Sequence, residues 1–413
     1  MVVLEARDRI GGRILTLHEP GLVVPVESGA EFVHAEAAET RDVARQAAIG
    51  ITDIGGRRVE SRNGRLRWMD DFERKLNRVL SRLDADADPD RSFAQALRTI
   101  ALPPEAKTLS TRFVEGFHGA DPALVSERFL AVSADDDEAM RIARVDGGYD
   151  RIVETLAANV RERIRLSHIV TRVRWRHGRV EVDSTSSSGR RRPVFRARAA
   201  IVTVPWGVLT SRPGQKGHIA FDPPLGVVEQ NSERLAMGGV LRVVLQFDEA
   251  IWSTPRFAGQ HGLKSIREMT FIQSLKPVPF PVWWTTYPAE SPVLVAWSGG
   301  PVTWSMKGNS KRSVVRQAVA SLEKVTGLAR ATIDRHLIAS FTHDWMSDPF
   351  SRGAYSYARV GGSQVSALLA RPLAQTIFIA GEHASAGRNG TVDGAMASGE
   401  RAAAQFFGSG SAS

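Results

Sequence analysis

The feature that most constrains this chain is a continuous apolar run, Ala199-Ala200-Ile201-Val202-Thr203-Val204, stopped at Pro205. Such a run marks a strand buried on both faces, the pattern of parallel sheets rather than of hairpins. Similar strands lie at the two chain ends: Val2-Val3-Leu4 ends at Glu5, and Ile377-Phe378-Ile379-Ala380 runs into Gly381-Glu382. Parallel strands need crossovers, and here the crossovers are long. The fold class that follows is α/β, with one domain assembled from segments separated in sequence. With 413 residues there is enough chain for that domain and a second one.

The intervening sequence alternates helical and strand patterns. Residues 36–49 and about 70–131 are helical, the latter broken at Pro89, at Pro103-Pro104 and near Gly116 to Gly119. Asn63-Gly64 between Arg58 and Arg67 is a two-residue hairpin signal. Gly147-Gly148 precedes an amphipathic helix from Tyr149 to about Arg163. Strands follow at 168–176, 179–185, 193–197 and 239–247, with more among the tryptophans of 283–297. A helix covers 311–325, and another runs from about Val392 to Phe407. The end of the chain, 409–413, is rich in Gly and Ser and is expected to be a disordered tail.

Composition excludes several classes. There is no cysteine, which removes disulfides, thiolate catalysis and cysteine-held metals or cofactors. No stretch approaches the roughly 18 apolar residues of a membrane span. Met1 to Glu5 lacks the basic and apolar parts of a signal peptide, so the sequon Asn389-Gly390-Thr391 is read as accidental and the expected location is cytoplasmic. The net charge of +9 invites a nucleic-acid partner, but the basic residues are scattered among acidic ones. The densest run, Arg190-Arg191-Arg192, sits in a turn between Gly189 and Pro193. The acidic runs at 84–90 and 135–138 read as exposed loop or helix-end residues. No nucleic-acid partner and no metal site is expected.

Two blocks carry chemistry. Glu5 stands at a strand end, where an acidic residue can accept hydrogen bonds from ribose hydroxyls. Gly11-Gly12-Arg13 follows; glycines let backbone approach a phosphate, and Arg13 can neutralise it. At the other end, Gly381-Glu382 and Gly390-Thr391-Val392-Asp393-Gly394-Ala395 place a glycine at a strand end and a helix start nearby, an arrangement suited to an anion. Ala395, Ser398, Gly399, Ala402 and Ala403 form a stripe of small residues on that helix. Ordinary helix–sheet packing explains the stripe equally well.

The block Val3-Leu4-Glu5-Ala6-Arg7-Asp8-Arg9-Ile10-Gly11-Gly12-Arg13 resembles the second-strand signature of the flavin-dependent monoamine and polyamine oxidase family. Asp146-Gly147-Gly148-Tyr149, Val202 to Leu209, Phe221 to Leu225, Trp345 to Tyr357 and the C-terminal block follow in that family's order. The resemblance implies an FAD-binding Rossmann-like domain from 1–34, 142–212 and 371–408, and an α+β substrate-binding domain from 35–141 and 213–370. It implies that Glu5 binds the adenosine ribose, that Gly11, Gly12 and Arg13 lie by the pyrophosphate, and that Val170 pairs its backbone with the adenine. Gly381 and Glu382 would reach the pyrophosphate or ribityl region, and Val392 would offer its N–H to the flavin. Thr391 lies beside Val392, where the family places the second aromatic of a substrate cage. Trp345, Tyr355 and Arg242 would line the catalytic site. Tyr355 also fits a plain core tyrosine.

The family also has a strand, Gly-x-Gly-x-x-Gly and a helix, about 30 residues, ahead of the strand that opens this chain. The expectation is that Met1 stands where a longer protein has an internal residue; a truncated protein is the alternative. Arg242 takes the position of a lysine that many members hold near flavin N5, which leaves oxidase and dehydrogenase chemistry both open. Strand alternation puts Arg242 with Val244 and Gln246, on a half-polar inner or solvent face. Ala354 replaces the cysteine that some members link to the flavin, so FAD is expected to be noncovalent. The implied reaction is hydride transfer from an amine to flavin N5, with electrons passed on to O2 or another acceptor. Related flavin enzymes acting on non-amines, and a remnant that holds no FAD, are the competing readings. The sequence leaves the oligomeric state open.

Overall fold

The computed structural model describes residues 1–19, 21, 22, 24–34, 36–134 and 141–409. The acidic run at 135–138 and the last four residues lie outside them. Its largest sheet has seven strands, in the order Leu337–Phe341, Val240–Phe247, Val293–Gly299, Val282–Thr285, Met269–Ser274, Arg57–Arg62 and Arg65–Trp68. Neighbours are antiparallel except Arg57–Arg62 and Met269–Ser274, which run parallel. The hairpin turn is the one the sequence announces: Asn63 and Gly64 both have positive φ, 55° and 77°.

The strand Val240–Phe247 is buried along its whole length. Leu241, Val243, Leu245 and Phe247 face the largest core, with Trp252, Phe257 and Trp283. The helix Lys311–Thr326 closes that core with Val314, Ala318, Val319, Leu322 and Val325. Ser310 caps its first turn, and Gly327 ends it at φ 68°. The opposite face of Val240–Phe247 is buried as well, the inner of the two settings expected for Arg242. The segment from Leu17 to Glu31 covers it: Val244 packs with Leu17, Leu22 and Val26, and Gln246 donates to the Gly21 carbonyl.

Helices Phe72–Leu80, Phe93–Thr99, Pro104–Phe117 and Glu127–Ala134 fill the predicted helical stretch. The expected break at Pro103-Pro104 falls between two helices, and Pro104 opens the second of them at its first position. Gly116 stays inside that helix, and the break falls at His118-Gly119. The helix expected over 149–163 ends at Ala158, with a single tight turn at Arg161–Arg163. The final helix, Val392–Ser409, starts where predicted and takes in residue 409 of the expected tail.

The remaining strands form smaller sheets. Phe32–His34 and Ile51–Asp53 flank Ile142–Val145, and Phe195–Ala197, Arg179–Thr185, Ile169–Arg176 and Ala220–Asp222 form a sheet of four. Two parallel pairs join distant chain: Val3–Leu4 with Ile164–Arg165, and Ala200–Val202 with Ile377–Ile379. The Ala199–Val204 run is therefore not buried on both faces. Ile201 is 44% exposed although its partner Phe378 is buried. Its strand has one neighbour among the described residues, so one edge is uncovered.

Candidate active site

A cavity of about 910 Å³ runs between the parallel pairs and the seven-stranded sheet. All twelve residues singled out from the sequence line it: Glu5, Gly11, Gly12, Arg13, Val170, Arg242, Trp345, Tyr355, Gly381, Glu382, Thr391 and Val392. They come from strand ends and loops spread over nearly the whole chain.

On one side lie the nucleotide-type elements. Glu5 accepts the Arg7 N–H at 2.8 Å, and burial raises its carboxyl above the ordinary value. Gly11 makes a tight turn at φ 95°, where a Cβ would meet the Ile14 carbonyl oxygen at 3.0 Å. Gly12, at φ 57°, has no atom within 4 Å of such a Cβ, so its backbone faces open space. Arg13 donates to the Ala354 carbonyl and to Glu382, at 2.6 and 2.9 Å. Glu382 is buried and also accepts from Ser356 N, Ser356 Oγ and Gly390 N. Burial pushes its carboxyl up, but Arg13, His383 and the Ser356 hydroxyl together outweigh this and the pKa is lowered. Glu382 thus positions Arg13 and the loop before the final helix.

The start of that helix is shaped for a ligand. Thr391 is a cap rather than a cage wall: its Oγ accepts from Gly394 N and donates to the Arg388 carbonyl. First-turn N–H groups have no acceptor within their own helix, and Val392 presents this turn to the cavity. Ser398 ties the helix to the Gly381 backbone at 2.8 Å.

The other side is aromatic. Trp345 is buried and donates from Nε1 to the Ser28 carbonyl at 2.9 Å. Tyr355 donates its hydroxyl to the Phe117 carbonyl at 2.8 Å, while Gly390 lets backbone lie against its ring. Burial raises the Tyr355 phenol far above its usual range. Arg242, 5% exposed, donates to the Gly29 carbonyl at 3.1 Å, pairs with Glu31 and lies 5.3 Å from the Trp284 ring centroid.

Sequence reasoning missed several lining residues. Glu31 is the largest omission: it accepts from Arg144 at 2.7 Å, from Arg242 and from Trp284 Nε1 at 3.1 Å. Phe32, His34, Phe117 and His118 complete the aromatic wall. Among the tryptophans, Trp284 and Trp297 line the cavity, Trp252 and Trp283 are core, and Trp304 is 43% exposed. A signal for Glu31 did exist: an isolated acid in an apolar stretch next to Phe32 and Val33.

Burial holds His34 and His118 neutral, with pKa values drawn down to about 4, and His383 behaves the same way. An unfolded chain would protonate all three near 6.5. Folding stability supplied by the neutral rings is complete above 6.5 and lost as pH falls towards 4. Glu27, raised to about 7 by burial, works in the opposite direction. Three histidines outweigh it, so urea denaturation is expected to show stability falling steadily from pH 6.5 to 4. A flat profile over that interval would contradict the burial of these rings.

A strand-end carboxylate, a paired-glycine turn and a helix start facing an aromatic chamber form a site suited to an anionic, nucleotide-type ligand beside a flat apolar one. A family model of flavin containing amine oxidoreductases matches residues 1–406, and the chain belongs to that family. Polyamine oxidase 2 of Arabidopsis thaliana is 27% identical over 98% of this chain and 82% of its own length. Lysine-specific histone demethylase 1 homolog 3 of the same plant is 30% identical, but the match spans 64% of this chain and 16% of that protein. Among solved structures, putrescine oxidase bound to putrescine has a TM-score of 0.78 at 20% identity, over 98% of this chain and 93% of that one. Cyclohexylamine oxidase from Brevibacterium oxydans IH-35A also gives 0.78 at 20%, over 99% and 94%. The structural likeness establishes the shared mixed α/β fold. No helix among the described residues is long and apolar enough to cross a membrane.

Proposed function

We propose that this protein oxidises an amine to an imine with noncovalently bound FAD, in the cavity described above. The observation that carries the reading is that the cofactor-type residues and the aromatic wall share one continuous cavity. Glu5 and Val170 would hold the adenosine end, Gly11, Gly12 and Arg13 the pyrophosphate, and Val392 the flavin edge. Residues 1–34, 142–212 and 371–408 would form the cofactor domain, and 35–141 with 213–370 the substrate domain. Bound FAD supplies a hydride acceptor and returns the electrons to O2 or another acceptor.

The chain's own residues do the rest. The rings of Tyr355 and Trp345 are fixed by their hydrogen bonds to Phe117 and Ser28, and so orient the amine. The carboxylates near the aromatic wall are spent on arginines: Glu31 on Arg144 and Arg242, Glu382 on Arg13. With His34 and His118 neutral as well, the chamber favours a neutral amine, whose nitrogen lone pair assists loss of the adjacent hydride. Arg242, held by Gly29 and Glu31, would lie near the bound flavin and shield it from solvent.

The test is spectroscopic. Full-length protein given FAD is expected to show flavin absorption that survives gel filtration. Anaerobic addition of small amines is expected to bleach it. A protein that stays colourless after incubation with FAD overturns this function for the chain. Flavin that binds but is bleached by no amine points to a non-amine substrate.

A further inference from the structure

The end of the cavity away from Glu5 carries a cation that amine oxidation does not use. Arg58, on the strand Arg57–Arg62, lines the cavity. Its guanidinium lies 4.4 Å from the Phe72 ring centroid and 4.3 Å from that of Phe271. Phe271 and Trp284, whose centroids are 6.1 Å apart, separate it from Arg242. Arg58 and Arg242 thus stand on either side of one aromatic stretch of the cavity wall.

Nearby carboxylates are committed elsewhere. Asp70 pairs with Arg57, Glu60 and Glu105 pair with Arg62, and Glu115 pairs with Arg112, the other arginine of this wall. Among the described residues no carboxylate forms an ion pair with Arg58, and Glu73 acts on it only by longer-range attraction. Burial draws its pKa down to about 10. Arg58 is half-buried, and holding a guanidinium partly out of water without a partner carries a cost that is recovered when a ligand brings the anion. The contacts with Phe72 and Phe271 hold the group in place without using its N–H donors, which suit a carboxylate in bidentate fashion.

We propose that Arg58 receives the far end of the substrate, and that the substrate is an amine bearing a carboxylate remote from its reacting nitrogen. A diamine or polyamine would instead place a second ammonium against the like charges of Arg58 and Arg112. The assignment rests on the amine-oxidising reading above, and adds to it the class of amine.

The experiment uses the full chain loaded with FAD and three amines on one scaffold: para-(aminoethyl)benzoate, phenethylamine and para-(aminomethyl)phenethylamine. Native protein is expected to prefer the carboxylate over both others by about 10- to 100-fold in kcat/KM. Arg58→Gln is expected to abolish that preference through KM, read as the ratio of kcat/KM between the carboxylate and phenethylamine. Arg58→Lys should restore part of it. Preference of the native protein for phenethylamine or the diamine, or an unchanged preference in Arg58→Gln, overturns the assignment. The native comparison stands even if Arg58→Gln does not fold. Calorimetric titration with para-ethylbenzoate, which has no amine, separates the two readings. If no amine bleaches the flavin, the oxidase reading falls. Binding of para-ethylbenzoate that is lost in Arg58→Gln then still upholds the anion site, and no binding to native protein overturns it.

Discussion

Replacing Glu31 by glutamine is expected to destabilise the protein by about 3–5 kcal/mol, the cost of leaving buried charges without their partner. Glu31 is 8% exposed at its side chain and joins three separate strands. It accepts from Arg144 on Ile142–Val145, from Arg242 on Val240–Phe247 and from Trp284 on Val282–Thr285. Arg144 would keep backbone acceptors at Thr285, Thr286 and Tyr287. Arg242 would keep only the Gly29 carbonyl, and its Nε is already buried without a partner. The larger share of the loss therefore falls on Arg242, in the wall of the cavity. Denaturant midpoints should drop with little change in slope. A double-mutant cycle checks the assignment: Arg242→Met should cost less in the Glu31→Gln background than alone. Additive costs would mean that the pair is not coupled. The acid limb carries a second signature. Burial raises the Glu31 carboxyl, but Arg242 and Arg144 outweigh it and the pKa lies below 4.5. Its stabilisation is complete above 4.5 and lost as pH falls through the lower folded value, so this limb should flatten in the variant.

The cofactor side of the cavity was legible in the sequence because its signals are local. Glu5 with Gly11-Gly12-Arg13, and Gly381-Glu382 with Thr391-Val392, are each read within a dozen residues, and all line the cavity. The Asn63-Gly64 hairpin was legible for the same reason, since two adjacent positive φ values demand such residues. The substrate wall was not legible. Phe32 and His34 share one strand, but Arg58, Phe117, Trp284 and Trp297 come from four other elements, and each alone resembles a core or surface residue. Alternation correctly grouped Arg242 with Val244 and Gln246, but periodicity reports which face a residue takes, not what covers that face. The cover is the Leu17 to Glu31 segment, some two hundred positions away. Ile201 fails in the converse way: its apolar run implies burial, yet burial needs a neighbour that the run itself does not specify.

Gly29→Ala is expected to abolish the folded site, while Gly399→Ala, its control, leaves it intact. A Cβ at Gly29 would stand 1.9 Å from the Arg13 carbonyl oxygen and 2.9 Å from the Arg13 carbonyl carbon. These atoms are backbone and cannot swing aside as a side chain would. They are also tied in place, since Ser28 N donates to Leu15 at 2.7 Å and Ala30 N to Arg13 at 3.1 Å. Relief must separate the two segments, which breaks those bonds and shifts the Gly29 carbonyl away from Arg242. The cost should exceed the ~1–3 kcal/mol usual for an overpacked core. Arg13 moves with its carbonyl, so its contacts with Glu382 and Ala354 are lost and FAD retention with them. Gly399 lies in the final helix with nothing within 4 Å of its would-be Cβ. Alanine there should add about 0.5–1 kcal/mol from helix propensity. Thermal melts and retained flavin absorbance, measured on both variants, read the outcome. A Gly29→Ala protein that melts like the native one and keeps its flavin would show that the Arg13–Glu31 segment is looser than its packing implies. Flavin lost without a change in melting would place Gly29 at the cofactor itself, with the alanine methyl occupying its space.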